Sequence, residues 1–375
     1  MKKRFLIPAM LLLAVLGAGI AYAAGGTASD PLISLQYLNK TYIDTITDHA
    51  DELLETSDDT LFDDAMVELN ARLAALGLSA DVECAKSFTE SRFKQDDALL
   101  ASTGTSVIPL AGTVSIQFDG GTVVDVTTGK TVESGTVATA THRYMVAENT
   151  TARFVTNSKT SVMQYMGYYA LAASNNRADY NAMASALKQL SLMRGSATAF
   201  GSGFDLENAP TRGAALIMFI RMLGEEDEAL AFTGECPFKD VPKSDALYPY
   251  VAYAYHKGYT NGYGVGTFRP KYLSNERQYT EFILRAMGYS SFSNTDLNGT
   301  LANAVSNGVI TEAEKTSLEN GEFLRADLVY LSYYALQATL PDGMNTLADQ
   351  LMMQGVFYPD DYYYALQLVD SERIA

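Results

Sequence analysis

The strongest constraint on the fold of this chain is an internal repeat. Phe204, Thr211, Arg212, Arg221 and Gly224 are matched by Phe268, Asn275, Glu276, Arg285 and Gly288, each pair offset by 64 residues. A weaker third copy opens at Phe323-Leu324-Arg325-Ala326-Asp327 and continues as the apolar run Leu328 to Leu336. Repetition in one register marks a supersecondary motif that buries its apolar face only by stacking on its neighbours. Each copy reads as helix, loop, helix. In the second, Tyr248 to Tyr255 forms the first helix and Lys257-Gly258 ends it, with glycine at the C-terminal position. The loop from Thr260 to Pro270 follows, and its Gly262, Gly264 and Gly266 permit positive φ and close backbone approach. Asn275 caps the next helix, with Gln278 three residues on as in a capping box.

The chain ahead of the repeats has two textures. From Pro31 to about Leu78 the pattern is helical, with Leu32, Leu35, Leu38 and Tyr42 at spacings of three and four. Leu53, Leu54, Leu61, Met66, Leu69, Leu73 and Leu76 extend it through at least one more helix, for which Asp58 and Asp59 serve as caps and Gly77 as the stop. Residues 88–170 are rich in Thr, Val and Ser. Val114, Ile116 and Phe118 alternate with polar residues, and Asp119-Gly120-Gly121 and Thr127-Thr128-Gly129 supply turns. Further strands are expected over Thr136 to Val146, Ala152 to Thr156 and Thr160 to about Tyr165, giving a small antiparallel β domain of five to eight strands.

Lys2, Lys3 and Arg4, an apolar run from Phe5 to about Ile20, and Ala21-Tyr22-Ala23 have the layout of a secretory signal peptide with its cleavage site. Cleavage would remove three basic residues and no acidic one from a chain whose formal charge is already −17. Such a surface repels nucleic-acid phosphates and anionic lipid. No later apolar stretch approaches the roughly 20 residues of a membrane span, so no membrane partner is expected after cleavage. Cys84 and Cys236 are the only cysteines; an exported context permits a disulfide, and their pairing stays open. With His49, His142 and His256 they are too widely spaced for a structural zinc site, and no cofactor is expected.

Several of these residues resemble S-layer homology repeats. Phe238-Lys239-Asp240-Val241-Pro242 resembles the Phe-x-Asp-Val opening of such a repeat. Gly262 to Pro270 resembles its glycine-rich loop ending in Thr-Phe-Arg-Pro, and Pro210-Thr211-Arg212-Gly213 resembles its Thr-Arg-Ala-Glu helix start. The resemblance covers about residues 176–342. It implies a three-pronged α-helical assembly whose grooves hold secondary cell-wall polysaccharide, often pyruvylated, without covalent attachment. A guanidinium at a helix start meets a carboxylate with charge and two parallel hydrogen bonds, and free N–H groups at the helix end add to it. Carried over by position, Arg212 and Arg325 stand at the helix-start arginine of copies one and three. Copy two has Glu276 there and Arg277 one residue later. Ala214 replaces the motif's acid in copy one, where Gln278 and Asp327 keep a polar group in the others. Gly262, Gly264, Arg269, Asp240 and Tyr248 complete the candidate polysaccharide-binding set, with Tyr248 or Tyr250 standing for a tryptophan that this chain lacks.

The chain is therefore expected to be an α+β multidomain protein. The expected order is a signal peptide (1–23), a helical segment (24–86), a small β domain (87–175), three S-layer-homology-like repeats (176–235, 236–298 and a degenerate 299–342) forming an all-α array, and a C-terminal helical tail (343–375). The expected function is anchoring of an exported protein at the cell wall by polysaccharide binding. The alternative is a structural surface-layer protein that assembles with itself or with other surface proteins. An enzyme is not expected: no motif marks a carboxylate pair or a nucleophile with a placed histidine.

Overall fold

The computed structural model describes residues 42–374 apart from positions 78, 79, 149, 176, 199, 200 and 265. The expected signal peptide and the segment up to residue 41 lie outside the described residues. The chain divides into two compact bodies, residues 1–64 and 65–375. Its architecture is α+β.

The first described element is a single helix, α1 (Ile43–Ala75), 33 residues long. The expected cap positions 58 and 59 fall inside this helix, not at its start. No Gly or Pro interrupts this stretch, and once nucleated a helix propagates at low cost per residue. Gly77 ends it at φ +66°. Leu53, Leu54 and Leu61 are exposed in the first body. In the second body Leu69 and Leu73 pack against Ala98, Leu100, Val155, Ala170 and Ala172.

Among the described residues the sheet begins at Val82, ahead of the expected boundary, and has ten antiparallel strands rather than five to eight. They are β1 (Val82–Lys94), β2 (Ala98–Ala101), β3 (Ser106–Ala111), β4 (Val114–Gln117), β5 (Thr122–Asp125), β6 (Lys130–Val132), β7 (Thr136–Val137), β8 (Tyr144–Glu148), β9 (Ala152–Thr156) and β10 (Thr160–Ala172). The expected strand over 136–146 is split into β7 and β8 by a turn, where Thr141 takes φ +66°. Strand β10 organises the rest. One edge pairs with β1 along its length. The other pairs with β3 up to Met166 and with β2 from Tyr169. The switch falls at Gly167, φ +124°, where a Cβ would stand 2.6 Å from Thr105 Oγ1; only glycine fits there. Two wings result, β3-β8-β5-β6 and β2-β9-β4-β7. Val107, Val123, Tyr144 and Val146 of one wing share a core with Leu99, Val114, Ile116 and Phe154 of the other. Sheet alternation sends Leu99 into that core and Leu100 onto α1.

The helical region contains α2 (Tyr180–Gln189), α3 (Arg212–Met222), α4 (Glu226–Ala231), α5 (Tyr248–His256), α6 (Glu276–Ala286), α7 (Thr300–Ser306), α8 (Glu312–Asn320), α9 (Arg325–Gln337), α10 (Leu347–Met353) and α11 (Pro359–Gln367). It is not all-α as expected: β11 (Ser196–Thr198) and β12 (Gly201–Gly203) pair as a short hairpin between α2 and α3. Helices α3, α6 and α9 pack on one another pairwise. Phe219, Tyr279 and Phe282 interlock there, with ring centroids 5.4–6.5 Å apart, and the Tyr279 and Ser332 hydroxyls share a hydrogen bond of 2.7 Å. An outer helix rests on each central one: α5 on α3, α7 on α6 and α2 on α9. Buried carboxylates brace this frame. Glu281 takes Arg285 at 2.9 Å and Thr300 at 2.9 Å. Glu314 takes Tyr330 at 2.6 Å and Arg373 at 2.6 Å, which ties the chain after α11 back to α8 and α9. Asn275 caps α6 through Gln278 N–H. The expected capping box is not completed, since the Gln278 side-chain oxygen is buried without a partner.

Candidate functional site: the helix starts and the Tyr263–Arg269–Tyr272 face

The matched positions of the repeat turn out to touch across copies. At the start of α3, the Arg212 and Gly213 N–H groups donate to Tyr272 and Pro270 carbonyls at 2.8 and 2.9 Å, and Arg212 Nε donates to the Phe268 carbonyl at 2.9 Å. At the start of α9, the Arg325 and Ala326 N–H groups donate to Asn208 and Leu206 carbonyls at 2.9 and 3.1 Å, and Arg325 Nε donates to the Phe204 carbonyl at 3.0 Å. Every acceptor in one set lies 64 residues from its counterpart. The loop of copy two thus clamps the helix of copy one, and the loop of copy one clamps the helix of copy three. The N–H groups expected to be free for an anion are bonded at both sites.

Arg212 is 3 % exposed. Its guanidinium lies 4.9 Å from the Phe268 ring centroid and 5.6 Å from that of Tyr263. Burial pushes its pKa down to about 10, and the nearby Arg269 cation acts in the same direction while Tyr263 and Asp240 oppose it. It remains charged at neutral pH. Arg325 is half-buried, and burial lowers its pKa in the same way.

The third helix start is different. Glu276 stands there, with Arg277 Nε 3.7 Å from its carboxylate and Arg277 Nη1 3.5 Å from Asn298 Oδ1. Arg277 turns to its own neighbour and does not reach across. The third copy has Ser317, inside α8, at the place of the phenylalanine.

The loop of copy two presents an accessible face. Asp240 holds it by accepting the Phe268 and Arg269 N–H groups at 2.8 and 2.7 Å, so its carboxylate braces the loop. Gly262, φ +87°, allows a turn in which a Cβ would meet Phe238 Cε1 at 2.3 Å; Gly264 points into open space. Tyr248 accepts the Cys236 N–H at 3.1 Å and so pins the segment entering the repeat. Arg269, at φ +58°, lies over two exposed rings, its guanidinium 4.1 Å from the centroid of Tyr263 and 5.3 Å from that of Tyr272. Neither Arg212 nor Arg269 makes an ion pair among the described residues. Arg269 therefore offers a guanidinium flanked by aromatic faces. The sequence reading named Arg269 and the loop glycines but not Tyr272; the signal was the aromatic after Arg-Pro-Lys.

Cys84 and Cys236 are both free thiols. Among the described residues no group of three or more His, Cys, Asp or Glu is placed to hold a metal ion, and no helix is long and apolar enough to cross a membrane.

Known proteins resemble parts of this chain. A "Cell surface protein" of Thermoanaerobacter kivui is 31 % identical over 156 residues, covering 40 % of this chain and 20 % of its own length. The chain thus spans about a fifth of the curated relative it matches. The crystal structure of NovW, a 4-keto-6-deoxy sugar epimerase from the novobiocin biosynthetic gene cluster of Streptomyces spheroides, aligns over 28 % of this chain and 52 % of that one. Its sequence identity is 17 % and its TM-score 0.12, too low to carry an argument. Residues 237–272, the segment that contains Asp240, Tyr263, Arg269 and Tyr272, match the family model of the S-layer homology domain. This segment is therefore an S-layer homology domain.

Proposed function

We propose that this protein is exported and anchors itself non-covalently at a bacterial cell surface by binding wall polysaccharide. In this reading residues 176–342 form three S-layer-homology-like units around α3, α6 and α9, and the matched domain at 237–272 belongs to the middle one. The protein binds and does not catalyse. The observation that carries the proposal is the Arg269 guanidinium set against the exposed rings of Tyr263 and Tyr272. Tyrosine faces suit the apolar faces of sugar rings, and an unpaired guanidinium suits a carboxylate on the sugar, such as a pyruvyl ketal. In a chain of net charge −17, anion recognition has to come from such a locally placed cation. Arg212 supports the face from behind, and Arg325 holds the corresponding place at α9. The test is co-sedimentation of the mature protein with purified wall, before and after chemical removal of pyruvyl groups. Pelleting that falls on depyruvylation is expected; protein that stays in the supernatant with intact wall contradicts the proposal.

A second reading, assembly with copies of itself or other surface proteins, draws on the third helix start, where Glu276 and Ser317 replace the clamp. Ordered arrays formed without wall would favour it.

A further inference from the structure

Between α2, α3 and α9 lies a cavity of about 140 Å³. Its walls divide by chemistry. Leu187, Met218 and Val329 give it apolar surface, and Arg194, Arg221 and Arg325 are the charged residues that line it. Glu226 answers part of that charge, taking Arg221 Nε at 2.9 Å and Arg194 Nη2 at 2.8 Å. Asp205 favours the charged form of Arg325. Three arginines thus line a cavity whose lining holds no carboxylate residue, in a protein that is otherwise strongly acidic.

Ala214 opens the space. It lines the cavity at the position where the other two helix starts carry Gln278 and Asp327. A longer side chain there would project into the volume. A cavity of about 150 Å³ lined by Leu, Ile and Phe stays dry and takes benzene. A saccharide fits poorly, because its hydroxyls would face Leu, Met and Val without partners.

We propose that this cavity binds a small amphiphilic carboxylate, with an apolar body about the size of benzene and its carboxylate among the three arginines. The site is separate from the Tyr263–Arg269–Tyr272 face and does not depend on the wall-binding proposal.

Isothermal titration of the full chain with 4-methylpentanoate and with its neutral amide tests it. The acid should bind saturably and the amide about tenfold more weakly or less, since a charge-assisted hydrogen bond is lost. Ala214→Leu should abolish acid binding while the melting temperature and wall pelleting stay unchanged. Arg194→Gln leaves the cavity wall intact and should weaken the acid by about tenfold, which decides the matter should Ala214→Leu fail to fold. Absence of saturable binding up to about 10 mM, equal binding of acid and amide, or competitive displacement of the acid by wall fragments would each overturn the proposal. Acid binding by a protein that does not pellet with wall would count against wall anchoring and leave this site standing.

Discussion

Two of the three central helix starts are clamped by an arginine and a carbonyl from another copy, and the third is not. At α3 and α9 the arginine and the phenylalanine that supplies its acceptor are both present. At α6 both are gone: Glu276 replaces the arginine and Ser317 stands where the third copy would carry its phenylalanine. The paired loss teaches that the arginine and the phenylalanine form one unit. An arginine without its acceptor would leave a buried charge poorly satisfied. The helix-start arginine is thus first a joint between copies, and the proposed function assigns ligand contact to the more exposed Arg269 instead.

Arg212→Ala probes the joint most severely. It removes a charge-assisted hydrogen bond and the packing on two rings, and should cost about 3 kcal/mol in urea denaturation. Arg325→Ala, less buried, should cost about 2 kcal/mol. A loss under about 0.5 kcal/mol for Arg212→Ala, the range of ordinary surface changes, would break the comparison.

Lys159 tests what the clamped α9 start relies on besides its arginine. Its ammonium lies 2.6 Å from both Asp327 oxygens, and Asp327 also accepts the Leu324 N–H at 2.8 Å. Burial raises the Asp327 pKa, and Lys159 holds it back. A carboxyl whose folded pKa exceeds its unfolded value keeps its proton more tightly when folded, so stability falls as pH rises between the two values. Lys159→Ala moves the folded value further up. It should cost about 2 kcal/mol at neutral pH and less at about pH 5. A cost that grows on acidification would contradict this account.

Glu276→Arg should do least. With no phenylalanine carbonyl to meet it, the new arginine should change stability by no more than about 0.5 kcal/mol. A gain near the cost of Arg325→Ala would mean that an acceptor exists at the third start.

The repeat, the α5 and α6 spans, the Asn275 cap and the loop glycines were legible because they rest on local spacing. The continuity of α1 was not, because Asp58 and Asp59 are common caps and only the absence of a breaker argues for one helix. The split of β10 between β2 and β3 turns on Gly167 packing against Thr105, a contact that strand periodicity does not encode. At the site, Phe204, Phe268, Arg212 and Arg325 all stood in the repeat. What the spacing could not reveal was that the phenylalanine of one copy serves the arginine of another. Lys159 was invisible for a simpler reason: it meets Asp327 across 168 residues.

In the proposed function the Tyr263–Arg269–Tyr272 face holds the wall. Co-sedimentation of Arg269→Ala with purified wall, beside the unaltered protein and with melting temperatures for both, tests it most directly. The unaltered protein should pellet, and Arg269→Ala should stay in solution with its melting temperature unchanged. Pelleting of Arg269→Ala to the same extent as the unaltered protein would contradict it.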